Sequence, residues 1–186
     1  MAGELEKAIG EMVEELKKRE RAQDELLRIT RELVRECANA IKAIHAREMG
    51  VAKKHIDGAD ALVKKVKAID ENFEHISSQS LQEYAEVKML VAAVAGKPMP
   101  TYKQLGIPFE SWLTGLCDVV GELRREMLEA LKRGKKAEAK KFFEKMNDIY
   151  ESMLPLRFSN SLLPNFRRKQ DVARGQVEHA RSELLR

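Results

Sequence analysis

Counted in steps of three and four, the apolar residues of this chain predict helices from one end to the other. Val13, Leu16, Leu26, Leu27, Ile29, Leu33, Val34, Cys37, Ile41 and Ile44 recur at helical spacing from Glu4 to about Glu48. That run has no proline and reads as one long helix, or two nearly collinear ones, ended by Gly50. Ile56, Leu62, Val63, Val66 and Ile69 predict a second helix from Ala52 to about Asp70. A third follows from near Asn72 to Ala95, closed by Gly96 and the prolines Pro98 and Pro100. "GKPMPTYKQLGIP" is the longest irregular stretch. Beyond it, Phe109 to Lys132 turns Trp112, Leu113, Leu116, Val119, Val120, Leu123, Met127 and Leu128 inward. A helix from about Ala137 to Met153 comes next, and after the segment bracketed by Pro155 and Pro164 a last amphipathic helix runs from Phe166 to the end. No strand pattern interrupts the series. The expected fold is all-α, an antiparallel bundle of six or seven helices in one domain spanning residues 1–186.

Composition narrows the classes. At 44% hydrophobic and 34% charged residues, the chain can build a core and has heavily charged outer faces. Aromatics at 5% are poor material for sheets. A formal charge of +4 permits nucleic acid or an anionic surface as partner without selecting either. Cys37 and Cys117 lie within apolar helical patterns and lack metal-ligand spacing, so they read as buried thiols in a reducing compartment. With no signal-peptide pattern and no long uncharged run, a cytoplasmic chain without membrane contact is expected. The wide apolar arc from Trp112 to Leu128 predicts self-association, because a single bundle of this size would leave part of it uncovered.

Two short stretches carry chemistry. In "LQEYAEVKML", residues 81 to 90, Glu83 falls on the stripe of Ile76, Ser80, Val87, Leu90 and Val94, with Glu86 one turn later. In "GLCDVVGEL", Asp118 and Glu122 stand four apart on one helix face, with Gly115 and Gly121 beside them. If these helices pack side by side, four carboxylates converge. They cannot all ionise in a small dry space without a counter-charge, and a divalent cation with hard oxygen ligands is one answer. The other is that they are solvated surface acids matched by Lys88 or Arg125.

"LQEYAEV", followed some thirty residues later by "GLCDVVGELRRE" in a helical chain ending with "FRRKQDVARGQVEHA", resembles the translin family, and within it the TRAX branch in an archaeal form. The resemblance implies a magnesium-dependent endoribonuclease, with manganese as a substitute ion. It makes Glu83, Glu86 and Asp118 the catalytic and metal-binding acids and Glu122 a fourth ligand. It further implies a hollow homo-octamer enclosing RNA, single-stranded or short duplex, with single-stranded DNA as a further ligand. The sister branch implies the alternative, a non-catalytic nucleic-acid-binding shell. Val119 and Val120 depart from the hydroxyl residue and leucine usual near the second acidic motif, and Arg124 and Arg125 stand where one basic residue is usual.

Arg28, Arg31, Arg35 and Lys42 recur by threes, fours and a seven, a cationic line suited to a phosphate backbone, although Glu32 and Glu36 flank it. Lys88, beside the acids, completes the expected RNA-contacting set. His45, His55, His75 and His179 share no spacing and read as surface or satisfied helix residues.

Overall fold

The computed structural model describes residues 2–69 and 73–185. Seven helices occupy them: α1 (Ala2–His45), α2 (Met49–Ile69), α3 (Glu74–Val94), α4 (Tyr102–Leu105), α5 (Phe109–Lys132), α6 (Lys136–Met153) and α7 (Phe166–Leu184). The all-α bundle read from periodicity is the observed one. The expected boundaries at Asp70 and Asn72 lie outside the described residues.

Helix α5 is the axis, packing against α3, α6 and α7, while α1 packs against α2 and α3. The periodic residues of α5 explain this: Val119, Val120, Leu123 and Met127 are fully enclosed. Most of the arc from Trp112 to Leu128 is therefore covered within the single chain, and Trp112 and Leu128 at its ends are partly buried. Exposed apolar side chains include Leu5, Ile9, Met12 and Leu16 on the first turns of α1, and others such as Phe109, Phe158, Leu162 and Leu185 elsewhere. Cys37 and Cys117 are buried and free, as expected.

Helix α5 comes close to the α3 backbone at Gly115. A Cβ built there would stand 2.7 Å from the Gln82 carbonyl oxygen and 3.1 Å from the Ala85 Cβ. That crossing brings the two acidic motifs onto one wall. Gly115→Ala is expected to destabilise the fold by about 2 kcal/mol despite alanine's better helix propensity, because backbone must shift. Gly121→Ala, whose Cβ would meet nothing within 4 Å, should stabilise by about 0.5–1 kcal/mol. Urea denaturation of the two variants checks the contrast.

Two local features differ from the sequence reading. The first helix ends not at Gly50, which sits inside α2, but at Arg47, a non-glycine residue at φ 64°. Glu48 N–H donates to the Ala43 carbonyl and Arg47 N–H to that of Ile44, so a left-handed residue closes the helix as glycine usually does. This conformation costs on the order of 1 kcal/mol, and the Arg47 side chain reaches buried Glu126. Secondly, the proline-flanked stretch contains the one-turn helix α4, opened by a capping box in which Thr101 and Gln104 each receive the other's backbone N–H.

Candidate active site

Four helices wall a pocket of about 540 Å³. Glu83 and Glu86 come from α3, Cys117, Asp118, Gly121, Glu122 and Arg125 from α5, Lys42 with Ala38 and Ile41 from α1, and Val172 with Gln176 from α7. All four sequence-predicted acids thus meet in one cavity. The inward position is Glu86, at 7% exposure, whereas Glu83 is half-buried. Stripe counting pointed to Glu83 as the buried acid. Because α3 lies against α1, α2 and α5, its apolar face wraps wider than one stripe, and residues 84–87 are all buried.

Burial, followed by the charges of Glu83, Asp118 and Glu122, pushes the Glu86 carboxyl up to about 8. Glu83 is raised for the same reasons, burial first and then Asp118, with Lys169 opposing. Neither acid is held by a hydrogen bond or ion pair to the described residues. Asp118 and Glu122 are held. Lys169 of α7 donates to both Asp118 oxygens at 2.7 and 2.6 Å, and Gln82 Nε2 donates to Oδ2 at 2.7 Å. His45 reaches Glu122 through Nε2 and Glu126 Oε1 through Nδ1, the latter at 2.7 Å.

Glu126 is fully buried, and Arg47 Nη2 lies 2.6 Å from its second oxygen. Two carboxylates facing the two ring nitrogens of one imidazole require the doubly protonated form if both are to accept. Burial lowers the affinity of His45 for that proton, but the hydrogen bonds to Glu122 and Glu126 outweigh it and bring the group to about 8. The histidine is thus satisfied, as its sequence reading allowed, and ties the pocket wall to a buried ion cluster. Spacing could not have found Lys169, His45, Glu126 or Arg47, since each meets its partner across 51 or more residues of chain.

The predicted cations divide. Lys42 is exposed on the pocket wall, and Arg125, not among the expected RNA contacts, joins it there. Arg31 and Arg35 are exposed on α1. Arg28 is shared with Glu25 through hydrogen bonds of 2.9 and 2.7 Å, and with Glu32 at 3.6 Å. Lys88 does not line the pocket: its ammonium lies 3.0 Å from both oxygens of Asp60, which also accepts from the Tyr84 hydroxyl. In kind, the pocket's donors suit a hard divalent cation, being carboxylates that lack enough positive partners of their own. In the arrangement described, with Asp118 turned to Lys169 and Glu122 to His45, no three carboxylate, imidazole or thiol groups among the described residues close around a common point.

The translin family model matches residues 72–181, which include both acidic motifs and the lysine on Asp118. An uncharacterized protein of Methanocaldococcus jannaschii is 31% identical over 178 residues, covering 94% of this chain and 80% of that protein. The chain belongs to the translin family. Among solved structures, AfC3PO in complex with duplex RNA superposes with a TM-score of 0.90 at 30% identity, covering 95% of this chain and 94% of that one. The crystal structure of AfC3PO alone gives 0.89 at 31% identity, with 95% of each chain covered. That of apo-NeC3PO, at 22% identity and a TM-score of 0.88 over 95% of each chain, shares the translin fold. Among the described residues, no helix is long and apolar enough to cross a membrane.

Proposed function

We propose that this chain is a magnesium-dependent endoribonuclease of the TRAX type, cleaving RNA phosphodiester bonds at the four-helix pocket within an oligomeric shell. The observation that carries it is the convergence of Glu83, Glu86, Asp118 and Glu122 on one wall, where burial first, and then its neighbours' charges, raise the Glu86 carboxyl to about 8. Similarity to a protein solved with duplex RNA supports RNA as the ligand. Glu83, Glu86 and Asp118 would hold the metal, with Glu122 beside them. Bound magnesium, or manganese in its place, would supply a polarised water and neutralise charge on the phosphate. The chain's own residues do the rest. Lys42 and Arg125 offer cations to phosphate at the pocket wall, His45 fixes the orientation of Glu122, and Lys169 neutralises Asp118 until that carboxylate is needed.

A second reading, a non-catalytic RNA-binding shell, draws on one observation: the Lys169 and His45 contacts already neutralise half of the acids. Labelled RNA incubated with the protein in magnesium and in EDTA separates the two. The nuclease gives internal cuts in magnesium only, and the shell gives retention in both with cuts in neither.

Arg31 and Arg35, exposed and spaced four apart, are proposed to contact backbone phosphate along α1, in line with Lys42. Arg31→Ala with Arg35→Ala should lower the slope of log affinity against log salt by about 1.5, as two lost phosphate contacts require. Filter binding across a salt series reads it, and an unchanged slope makes the line a solvated face.

A further inference from the structure

Positive charge is shared unevenly among the pocket acids. Glu83 and Glu86 line the cavity with no hydrogen bond or ion pair to the described residues, although Glu86 is only 7% exposed. Asp118 takes the nearest ammonium for itself. Lys169 donates to both of its oxygens, at 2.7 and 2.6 Å, and the two side chains are 18% and 29% exposed, so the pair stands largely out of water. The same ammonium opposes the upward shift of Glu83 and of Glu86. One single positive charge therefore stands among three carboxylates, where the proposed function needs a divalent one.

Lys169 can leave that place while its helix stays docked. Arg124 of α5 holds α7 through Glu183 and, at 3.2 Å, through Gln176, and Gln170 Nε2 donates to the Met153 carbonyl at 2.8 Å. Ala173 and Val177 are buried beneath. The side chain alone has to move, and a lysine's four-carbon stem is flexible. Its swing stays at the pocket, because Val172 and Gln176, three and seven residues further along α7 and so on the same face, both line it. Gln82 Nε2, 2.7 Å from Asp118 Oδ2, remains to orient the carboxylate once the ammonium has gone.

We propose that Lys169 is a two-position residue of the active site: it competes with the divalent cation for Asp118 and, once displaced, contacts the phosphate of bound RNA. This rests on the nuclease reading and adds to it a phosphate-binding residue and an order in which the pocket fills. The competition follows from the hydrogen bonds. Both Asp118 oxygens are engaged by one Nζ, so the carboxylate turns to another cation as the lysine lets go. The second position follows from reach, since a phosphate brought to a cation on Asp118 lies within the arc that the ammonium sweeps. The three donors of the freed ammonium then require acceptors, and phosphate presents oxygens that the cation does not take up.

The test measures two affinities on the full-length parent and on Lys169→Met, which keeps the stem and removes the charge. Calorimetry gives the binding of manganese and then, with manganese saturating, of adenosine monophosphate, a phosphate probe with no diester to cut. Lys169→Met should bind manganese about tenfold more tightly than the parent, and adenosine monophosphate about tenfold more weakly. The opposite signs are the signature. A side chain that merely packs α7 against α5 would, on removal, weaken both ligands or neither. Manganese affinity that is unchanged or lower in the variant, or an undiminished affinity for adenosine monophosphate, overturns the proposal and leaves the nuclease reading standing. A parent that binds no manganese sinks that reading and this proposal with it. Circular dichroism checks that the helices persist; if Lys169→Met lost them, Lys169→Gln, with a polar head and no charge, would repeat the comparison.

Discussion

Glu83→Gln, Glu86→Gln and Asp118→Asn are each expected to reduce magnesium-dependent RNA cleavage by about a hundredfold or more, while RNA retention stays near the parental level. The separation follows from geometry. The acids lie inside the pocket, whereas Arg31 and Arg35, proposed phosphate contacts, are exposed on α1 and do not line it. Glu83 and Glu86 lose a carboxylate that no hydrogen bond holds, so their replacement should leave the surrounding packing intact. Asp118→Asn differs, because it also weakens the grip on Lys169 and should loosen α7 against α5. Single-turnover cleavage and filter binding on the same preparations measure both quantities. Parental rates in all three variants would remove these acids from the chemistry, and unfolding of all three would make them structural.

Glu86→Gln should also stabilise the protein, and only toward higher pH. A carboxyl raised from 4.5 to about 8 in the folded chain keeps its proton where the unfolded chain has lost it. The folded state then binds more protons than the unfolded between those limits, so stability falls as pH rises from about 4.5 to about 8. The loss is on the order of a few kcal/mol for a group this buried. Glutamine has no proton to lose and escapes that loss. Melting temperatures of parent and variant should therefore coincide near pH 4 and separate at pH 8, with the variant higher. Magnesium at pH 8 should raise the parent more than the variant, since it binds the ionised folded site. His45 acts over a narrower window with the same slope: its folded value of about 8 lies above its ordinary 6.5, so its contribution is complete below 6.5 and lost as pH passes 8. A His45→Asn background isolates the Glu86 effect. Equal melting temperatures at both pH values would mean that Glu86 ionises freely.

What the sequence made legible is the part governed by local periodicity. The long helices follow from apolar spacing, and the meeting of "LQEYAEV" with "GLCDVVGEL" follows from two acidic pairs beside apolar stripes, with Gly115 allowing close approach. What it hid depends on three dimensions. The partners of the acids, Lys169 and His45, arrive from α7 and α1, and no local pattern distinguishes Lys169 from the basic residues around it. The exchange of Glu83 for Glu86 as the buried acid arose because α3 is enclosed by three helices, which a single-stripe count does not anticipate. Helix α4 was present as Thr101 and Gln104 three apart, but the prolines around it argued for irregular chain. The inner face of α5 is buried by its own bundle, and apolar side chains on the first turns of α1, among others, are left exposed.

Calorimetric titration of manganese into the parent protein and into Glu83→Gln with Glu86→Gln at pH 8 asks the central question directly. Manganese stands in for magnesium among oxygen ligands. The account predicts saturable binding by the parent at the four-helix pocket and its loss in the double variant, whose fold remains intact. Undiminished binding by the double variant, or none by the parent, would contradict it.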